Sequence, residues 1–149
     1  MPPPSGGKGS EMADSAAFRL HAGPDTLVEL REYCGSILAP VQDAHLARSA
    51  ELVLEELVTN IVRHAYGQAG GPIEVDLQVE DERIRLIVAD EGPPFDPLSS
   101  AALERPTGEG KRGLLLLRHL TSDLHYVRSP DGRNVTTCVI EPTSEPDAE

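Results

Sequence analysis

The sequence has no tryptophan, three tyrosines, two phenylalanines and two cysteines among its 149 residues. A core for this chain must therefore be built from aliphatic side chains, since hydrophobic residues still make up 39% of the sequence. Cys34 and Cys138 are far apart, and neither a CxxC pair nor a histidine spacing typical of zinc accompanies them. We interpret them as buried or idle thiols and expect no zinc site.

Basic residues are scarce, and long apolar runs are missing. The 13 Lys and Arg against 25 Asp and Glu give a formal charge of -12 and a pI near 4.7. Binding to a phosphate backbone needs clustered Lys and Arg, so no direct nucleic-acid contact is expected, and a basic protein partner fits better. Uninterrupted apolar runs such as Leu114 to Leu117 are far too short to span a membrane, and the N-terminus has no apolar signal region. A cytoplasmic protein without membrane attachment is expected.

Both ends of the sequence have the composition of flexible tails. Pro, Gly and Ser dominate residues 1–15, and residues 142–149 are rich in Pro and acidic residues. Neither segment can bury enough apolar surface to order itself. A length of 149 residues suits one core but not two ordinary ones, so we expect a single domain over residues 16–141.

The order of predicted elements defines a fold class. Apolar periodicity and turn residues predict a strand over 17–22, helices over 25–38 and 41–66, and a hairpin over 73–79 and 84–89. A loop over 91–112, a helix over 113–121 and a closing hairpin over 123–128 and 135–140 follow. This order predicts an α/β (α+β) sandwich, with helices on one face of a mixed, mostly antiparallel sheet. A loop as long as 91–112 is usually functional.

The long helix carries a polar stripe beside its apolar one. Glu56, Asn60 and His64 recur at intervals of four and so share one helix face. A solvated face is the simpler interpretation, but asparagine is a poor residue for the middle of a helix. Its side-chain oxygen suits Mg²⁺, and Glu56 one turn away suits the acceptance of a proton from a hydroxyl or water.

Two further segments suit a nucleotide. Asp90 follows a buried strand and can accept a hydrogen bond from an exocyclic amine such as that of adenine, while Gly92 lets a base approach the backbone. The glycines of residues 108–113 precede an apolar helix, whose N-terminal N–H groups can bind phosphate with added charge from Lys111 and Arg112. Taken singly, an acidic turn and a flexible linker are the simpler interpretations.

In this order the three segments resemble the N box and the two glycine boxes of the GHKL (histidine kinase-like) ATPase superfamily. The matching stretches are ELVLEELVTNIVRHAYG, DEGPPFD and GEGKRGLLLLRHL, and within the superfamily they are most similar to the anti-sigma-factor serine/threonine kinases of the RsbW type. The resemblance covers residues 17–141. It implies the Bergerat-type ATPase fold, with ATP and Mg²⁺ as cofactors.

The resemblance also implies roles for single residues. Glu56 matches the catalytic base and Asn60 the Mg²⁺ ligand, with Glu55 as the less favoured neighbouring carboxylate. Lys111 departs from the family, which has a second glycine there, and a residue with a side chain resists positive φ. The residues implied in nucleotide binding are Asn60, His64, Asp90, Gly92, Pro94, Phe95, Gly110, Lys111, Arg112, Gly113 and Leu114.

The function implied by the resemblance is that of an anti-sigma regulator. Such a protein sequesters a sigma factor or equivalent regulator and phosphorylates a STAS-type antagonist, often as a homodimer. The alternative is a catalytically inactive ATP-binding module that controls a signalling or secretion partner by contact. The catalytic domain of a sensor histidine kinase fits less well, because no dimerisation helix with a phosphoacceptor histidine precedes the domain.

Overall fold

The computed structural model of the chain describes residues 17–64, 66, 69–96 and 109–142, with the backbone alone at 109–112 and 114. Residues 1–15 and 143–149 of the predicted tails, and 97–108 of the predicted loop, lie outside this description. The described elements are β1 (Phe18–His21), α1 (Thr26–Leu38), α2 (Ala44–His64), β2 (Pro72–Val79), β3 (Ile84–Asp90), α3 (Glu109–Leu120), β4 (Ser122–Arg128) and β5 (Asn134–Ile140).

The five described strands form one sheet in the order β1-β2-β3-β5-β4. Each of the four pairings between these strands is antiparallel, so the sheet has no parallel pair in its described part. Side chains alternate between the two faces of a strand, and Leu86, Val88 and Asp90 therefore lie in one row. Asn134 on β5 is the register partner of Asp90. The buried face of the sheet thus ends in a polar pair.

Helices α1 and α2 cover this buried face, as the predicted sandwich requires. The core is aliphatic, in keeping with the lack of aromatic residues, and Cys34 and Cys138 are free thiols buried within it. Burial raises the pKa of each thiol to about 12, so both stay protonated at neutral pH. None of the described helices combines the length and the hydropathy needed to span a bilayer. The largest fully buried side chains are those of Leu30, Leu54, Ile73, Leu77, Ile84, Leu86, Leu117 and Ile140.

Two helices begin three or four residues away from the start that periodicity predicts. Helix α2 begins at Ala44 rather than 41, because the Asp43 carboxylate accepts a hydrogen bond from the Leu46 N–H at 3.0 Å and caps the helix. Helix α3 begins at Glu109, four residues before the predicted start, so residues 109–112 belong to the helix and not to the loop. Glycine has low helix propensity, which hides this first turn in the sequence.

The Asp76 carboxylate lies on the sheet face opposite the helices, and its Oδ1 is buried without a hydrogen-bond partner. Burial is the main cause that raises the pKa of Asp76, and the charge of Glu74 adds to it, against the hydrogen bond from Gln78. When folding raises the pKa of a carboxyl, the stability that this group contributes to the folded protein is lost as the pH rises through the folded pKa. We expect Asp76→Asn to increase the free energy of unfolding at pH 7 by about 1 kcal/mol.

The gain should shrink toward zero below about pH 4, where Asp76 is protonated in both the folded and the unfolded state. Thermal melts of both proteins from pH 3 to 8 measure it. Asp81→Asn is the matched control, since Asp81 is exposed in the β2–β3 turn. Equal melting temperatures of wild type and Asp76→Asn across this range would contradict the expectation.

Candidate functional site

The C-terminal half of α2 meets the polar ends of β3 and β5 around a small cavity. Asn60 and Asp90, which are thirty residues apart in sequence, both line it and are only 6% and 4% exposed. The cavity volume is about 20 Å³. Its complete lining is Leu57, Asn60, Ile61, Val88, Asp90, Phe95, Asn134 and Thr136.

The Asp90 carboxylate uses one of its two oxygens for the loop that follows β3. Oδ1 accepts hydrogen bonds from the Gly92 N–H at 2.8 Å and from the Asn134 amide at 2.9 Å. The Asp90 side chain also lines the cavity, where a carboxylate oxygen can accept a hydrogen bond from an amine. The side chain therefore fits an adenine contact.

Asn134 connects the ends of β3, β4 and the loop, although no sequence motif identified it. Its amide group donates to Asp90 Oδ1 and to the Pro93 carbonyl, each at 2.9 Å. Its oxygen accepts from the Tyr126 hydroxyl and from Arg128, at 3.2 Å for the latter. The side chain is 3% exposed, so these bonds are shielded from water. The signal for it is an asparagine on the buried face of a strand, where an apolar residue is expected.

We expect Asn134→Ala to lower the free energy of unfolding by about 2 kcal/mol, because it leaves buried donors and acceptors unpaired. Nucleotide affinity should fall with it, since Asp90 loses the donor that fixes its orientation. Thr137→Ala is the matched control, because Thr137 lies on β5 but on the other sheet face. Urea unfolding and a nucleotide titration measure the two effects. Equal losses in both variants would show that Asn134 contributes only ordinary strand packing.

Phe95 forms one wall of the cavity and stacks on His64. The two ring centroids are 5.0 Å apart with an interplanar angle of 20°. Pro94, the other predicted residue of this loop, is exposed. A volume of about 20 Å³ holds roughly one water molecule. A purine can therefore enter only after Phe95 and its loop shift.

Tyr66 ties the end of α2 to the start of β2 and to the residue that follows β3. Its hydroxyl donates to the Pro72 carbonyl at 2.6 Å and accepts from the Glu91 N–H at 2.7 Å. A Cβ at Gly71 would lie 2.2 Å from the tyrosine ring, so only glycine fits there. The tyrosine of the His-Ala-Tyr match thus fixes the backbone that follows Asp90.

Glu56 lies away from the described cavity lining and packs against α3. A Cβ at Gly113 would meet Glu56 Oε2 at 2.0 Å, so the carboxylate lies directly on the glycine backbone. Glu55, one residue earlier, instead pairs with Arg31 of α1 at 3.0 Å. The two neighbouring carboxylates therefore have different surroundings: Glu56 packs on Gly113 of α3, and Glu55 pairs with α1.

The glycine-rich segment is helical where the structure describes it. Gly110, Lys111 and Arg112 lie in the first turn of α3, while Gly113 and Leu114 follow them. The first four N–H groups of a helix have no partner within it, so the free groups belong to residues 109–112 and not to Gly113. Lys111 has helical backbone, so it needs no positive φ. The side chains of Lys111, Arg112 and Leu114 lie outside the description.

A metal site of clustered acidic, histidine or cysteine side chains is not found among the described residues. Mg²⁺ bound with a nucleotide needs only one or two protein oxygens, because phosphates and waters complete its shell. The Asn60 side chain has such an oxygen and lines the same cavity as Asp90. Asn60 is thus the described residue that fits the predicted metal contact.

Comparison with known proteins agrees with the fold. The family described as "Histidine kinase-like ATPase domain" matches residues 20–139. The serine-protein kinase RsbW of Bacillus pumilus is 28% identical over 134 residues, covering 77% of this chain and 79% of that protein. RsbW of Staphylococcus aureus is 26% identical over 92 residues, covering 54% of this chain and 58% of its own.

A solved structure has the same fold. The histidine kinase domain of a blue-light activated histidine kinase from Erythrobacter litoralis superimposes with a TM-score of 0.51 at 18% identity, covering 88% of this chain and 68% of that chain. The family match over residues 20–139 includes every described strand and helix except the first residues of β1 and the last residue of β5. The chain therefore belongs to the histidine kinase-like ATPase family and is an RsbW-like member of it.

Proposed function

We propose that this protein is an ATP-dependent serine/threonine protein kinase and anti-sigma regulator. It would sequester a sigma factor or an equivalent regulator and phosphorylate a STAS-domain antagonist. The observation that carries the proposal is the buried Asp90 carboxylate, which shares a cavity with Asn60 and is held through Oδ1 by Gly92 and Asn134. The likeness to two RsbW serine-protein kinases supports the acceptor class.

The proposed mechanism gives each residue one task. Asp90 Oδ2 accepts a hydrogen bond from the adenine amine, while Gly92 and Asn134 hold Oδ1 in place. Asn60 gives its side-chain oxygen to Mg²⁺. Bound Mg-ATP supplies the phosphoryl group and the neutralising charge for its transfer. Glu56, one turn before Asn60, orients the acceptor serine and takes its proton.

In the described conformation both the cavity and the Glu56 carboxylate are covered. Phe95 and His64 cover the cavity, and Gly113 covers the Glu56 carboxylate. Both contacts come from segments that flank residues 97–108. We infer that a nucleotide displaces Phe95 and moves the start of α3, which frees Glu56 for an acceptor. Both changes would alter the surface that a partner meets.

The Gly113 contact also favours a second candidate function. If α3 stays on Glu56 when ATP binds, the protein is an ATP-binding partner-switching module without phosphoryl transfer. Incubation with radiolabelled Mg-ATP and STAS-domain proteins distinguishes the two functions. Label on a serine of the STAS protein supports the kinase. ATP binding without any labelled protein supports the contact module, and failure to bind ATP rejects both.

We also propose the extent of the domain, the cellular location and the oligomeric state. The ATPase domain comprises residues 16–141, with tails over 1–15 and 142–149. The protein acts in the cytoplasm, where sigma factors act. It forms a homodimer, as the family resemblance implies, which light scattering of the full chain tests directly.

A further inference from the structure

A second hollow lies at the opposite end of the sheet from Asp90. It has a volume of about 580 Å³, and Val41, Leu46 and Val79 form its apolar floor. Val79 is 40% exposed although it is a large apolar residue. Leu46 precedes Asn60 by fourteen residues of α2, which places the two ends about 20 Å apart at the rise of a helix. We call this hollow the distal groove, and it is separate from the nucleotide cavity.

The rim of the distal groove is acidic. Glu80 accepts hydrogen bonds from Arg83 at 2.9 Å and from Arg85 at 3.3 Å, so both arginines near the groove are already paired. Asp81 and Glu82 are exposed, and neither has an ion pair with any described residue. The carboxylates that line the groove and its outer edge are Asp43, Glu80, Asp81, Glu82 and Glu141.

A hollow with an exposed apolar residue, here Val79, and a charged rim is typical of a docking surface. We propose that the distal groove binds a basic amphipathic helix of another protein. Apolar side chains of that helix would cover Val79 and Val41, and its Lys and Arg would pair with Asp81 and Glu82. This surface goes beyond the proposed function, because it involves neither nucleotide nor phosphoryl transfer.

Two other occupants are disfavoured by charge. The segment TSEPDAE follows Pro142 at the edge of the groove and carries three acidic residues and no basic one. The rim would repel it. A second copy of this chain, with a formal charge of -12, would gain little from charge pairing at this rim, so the proposed homodimer would form through another surface. A basic partner, in contrast, would be attracted by the negative charge of the rim.

The probe for the test is a fluorescein-labelled peptide of about 18 residues, with Leu at helical spacing and Lys on the opposite face. Fluorescence anisotropy with the full chain should show saturable binding that weakens as salt is added. Asp81→Lys/Glu82→Lys should weaken it about tenfold or more. Glu29→Lys/Glu32→Lys changes the net charge equally on exposed positions of α1 and should leave affinity within about twofold. Val79→Ser should weaken binding about threefold.

Circular dichroism melts verify that each variant folds, and Val41→Ser replaces Val79→Ser if the latter does not. Equal weakening by both charge-reversed pairs would overturn the proposal, since it would reveal only a general field. So would equal binding of a peptide with Glu in place of Lys. Binding that appears only when residues 143–149 are removed would make the tail the occupant. Asp90→Asn should bind the peptide like wild type. The proposal for the groove can therefore be tested independently of the proposal for the nucleotide site.

Discussion

Asp90→Asn is expected to weaken ADP and ATP binding about a hundredfold while the fold stays intact. The Gly92 N–H and the Asn134 amide both donate to Oδ1, so they would keep the oxygen of an asparagine at that position. The new NH₂ group would then occupy the place of Oδ2. It would face the adenine amine donor to donor.

The melting temperature measures this loss directly. A ligand that binds only the folded state at a hundred times its Kd stabilises it by about 2.7 kcal/mol, and Asp90→Asn should lose nearly all of that stabilisation. Glu91→Gln is the matched control, because it removes a charge next to Asp90 from an exposed side chain. An equal nucleotide shift in wild type and Asp90→Asn would contradict the assignment of Asp90 to the base.

Glu56→Gln is expected to bind ATP within about threefold of wild type but to transfer phosphate about a thousandfold more slowly. Glutamine keeps the size of the side chain and its place beside Gly113 but cannot take a proton from a serine. Single-turnover transfer to a STAS protein, measured beside ATP binding, separates the two effects.

Glu55→Gln is the control for that experiment. Glu55 pairs with Arg31 on the surface, so its loss should change stability little and leave transfer unchanged. Transfer that survives in Glu56→Gln but disappears in Glu55→Gln would make Glu55 the base. A wild type that binds ATP and never transfers it would support the contact module instead.

The fold was largely predictable because the sequence is locally consistent. Strict alternation marks β2, and a regular apolar stripe marks α2, so each element shows its type and its buried face. The boundaries were less predictable where side chains decide them. Asp43 caps α2, which begins three residues after the predicted start, and glycines conceal the first turn of α3.

The residue types of the site and their order follow from the sequence alone. Glu56 and Asn60 share a helix face through the helical repeat, and Asp90 follows Val88 on the buried face of a strand. Both relations are local, since backbone geometry alone sets them. The three matched segments were enough to identify the family before any contact was known.

The way in which these segments meet depends on contacts between distant parts of the chain. Asn134 contacts Asp90 because β3 and β5 pair in a register that the local sequence of either strand does not predict. Gly113 is required by the Glu56 carboxylate of another helix and not by a turn of its own. The distal groove likewise joins Val41, Val79 and Pro142, which are distant in the chain. Such contacts depend on long-range packing. Hydrophobic periodicity and secondary-structure propensity describe only local structure, so they do not predict these contacts.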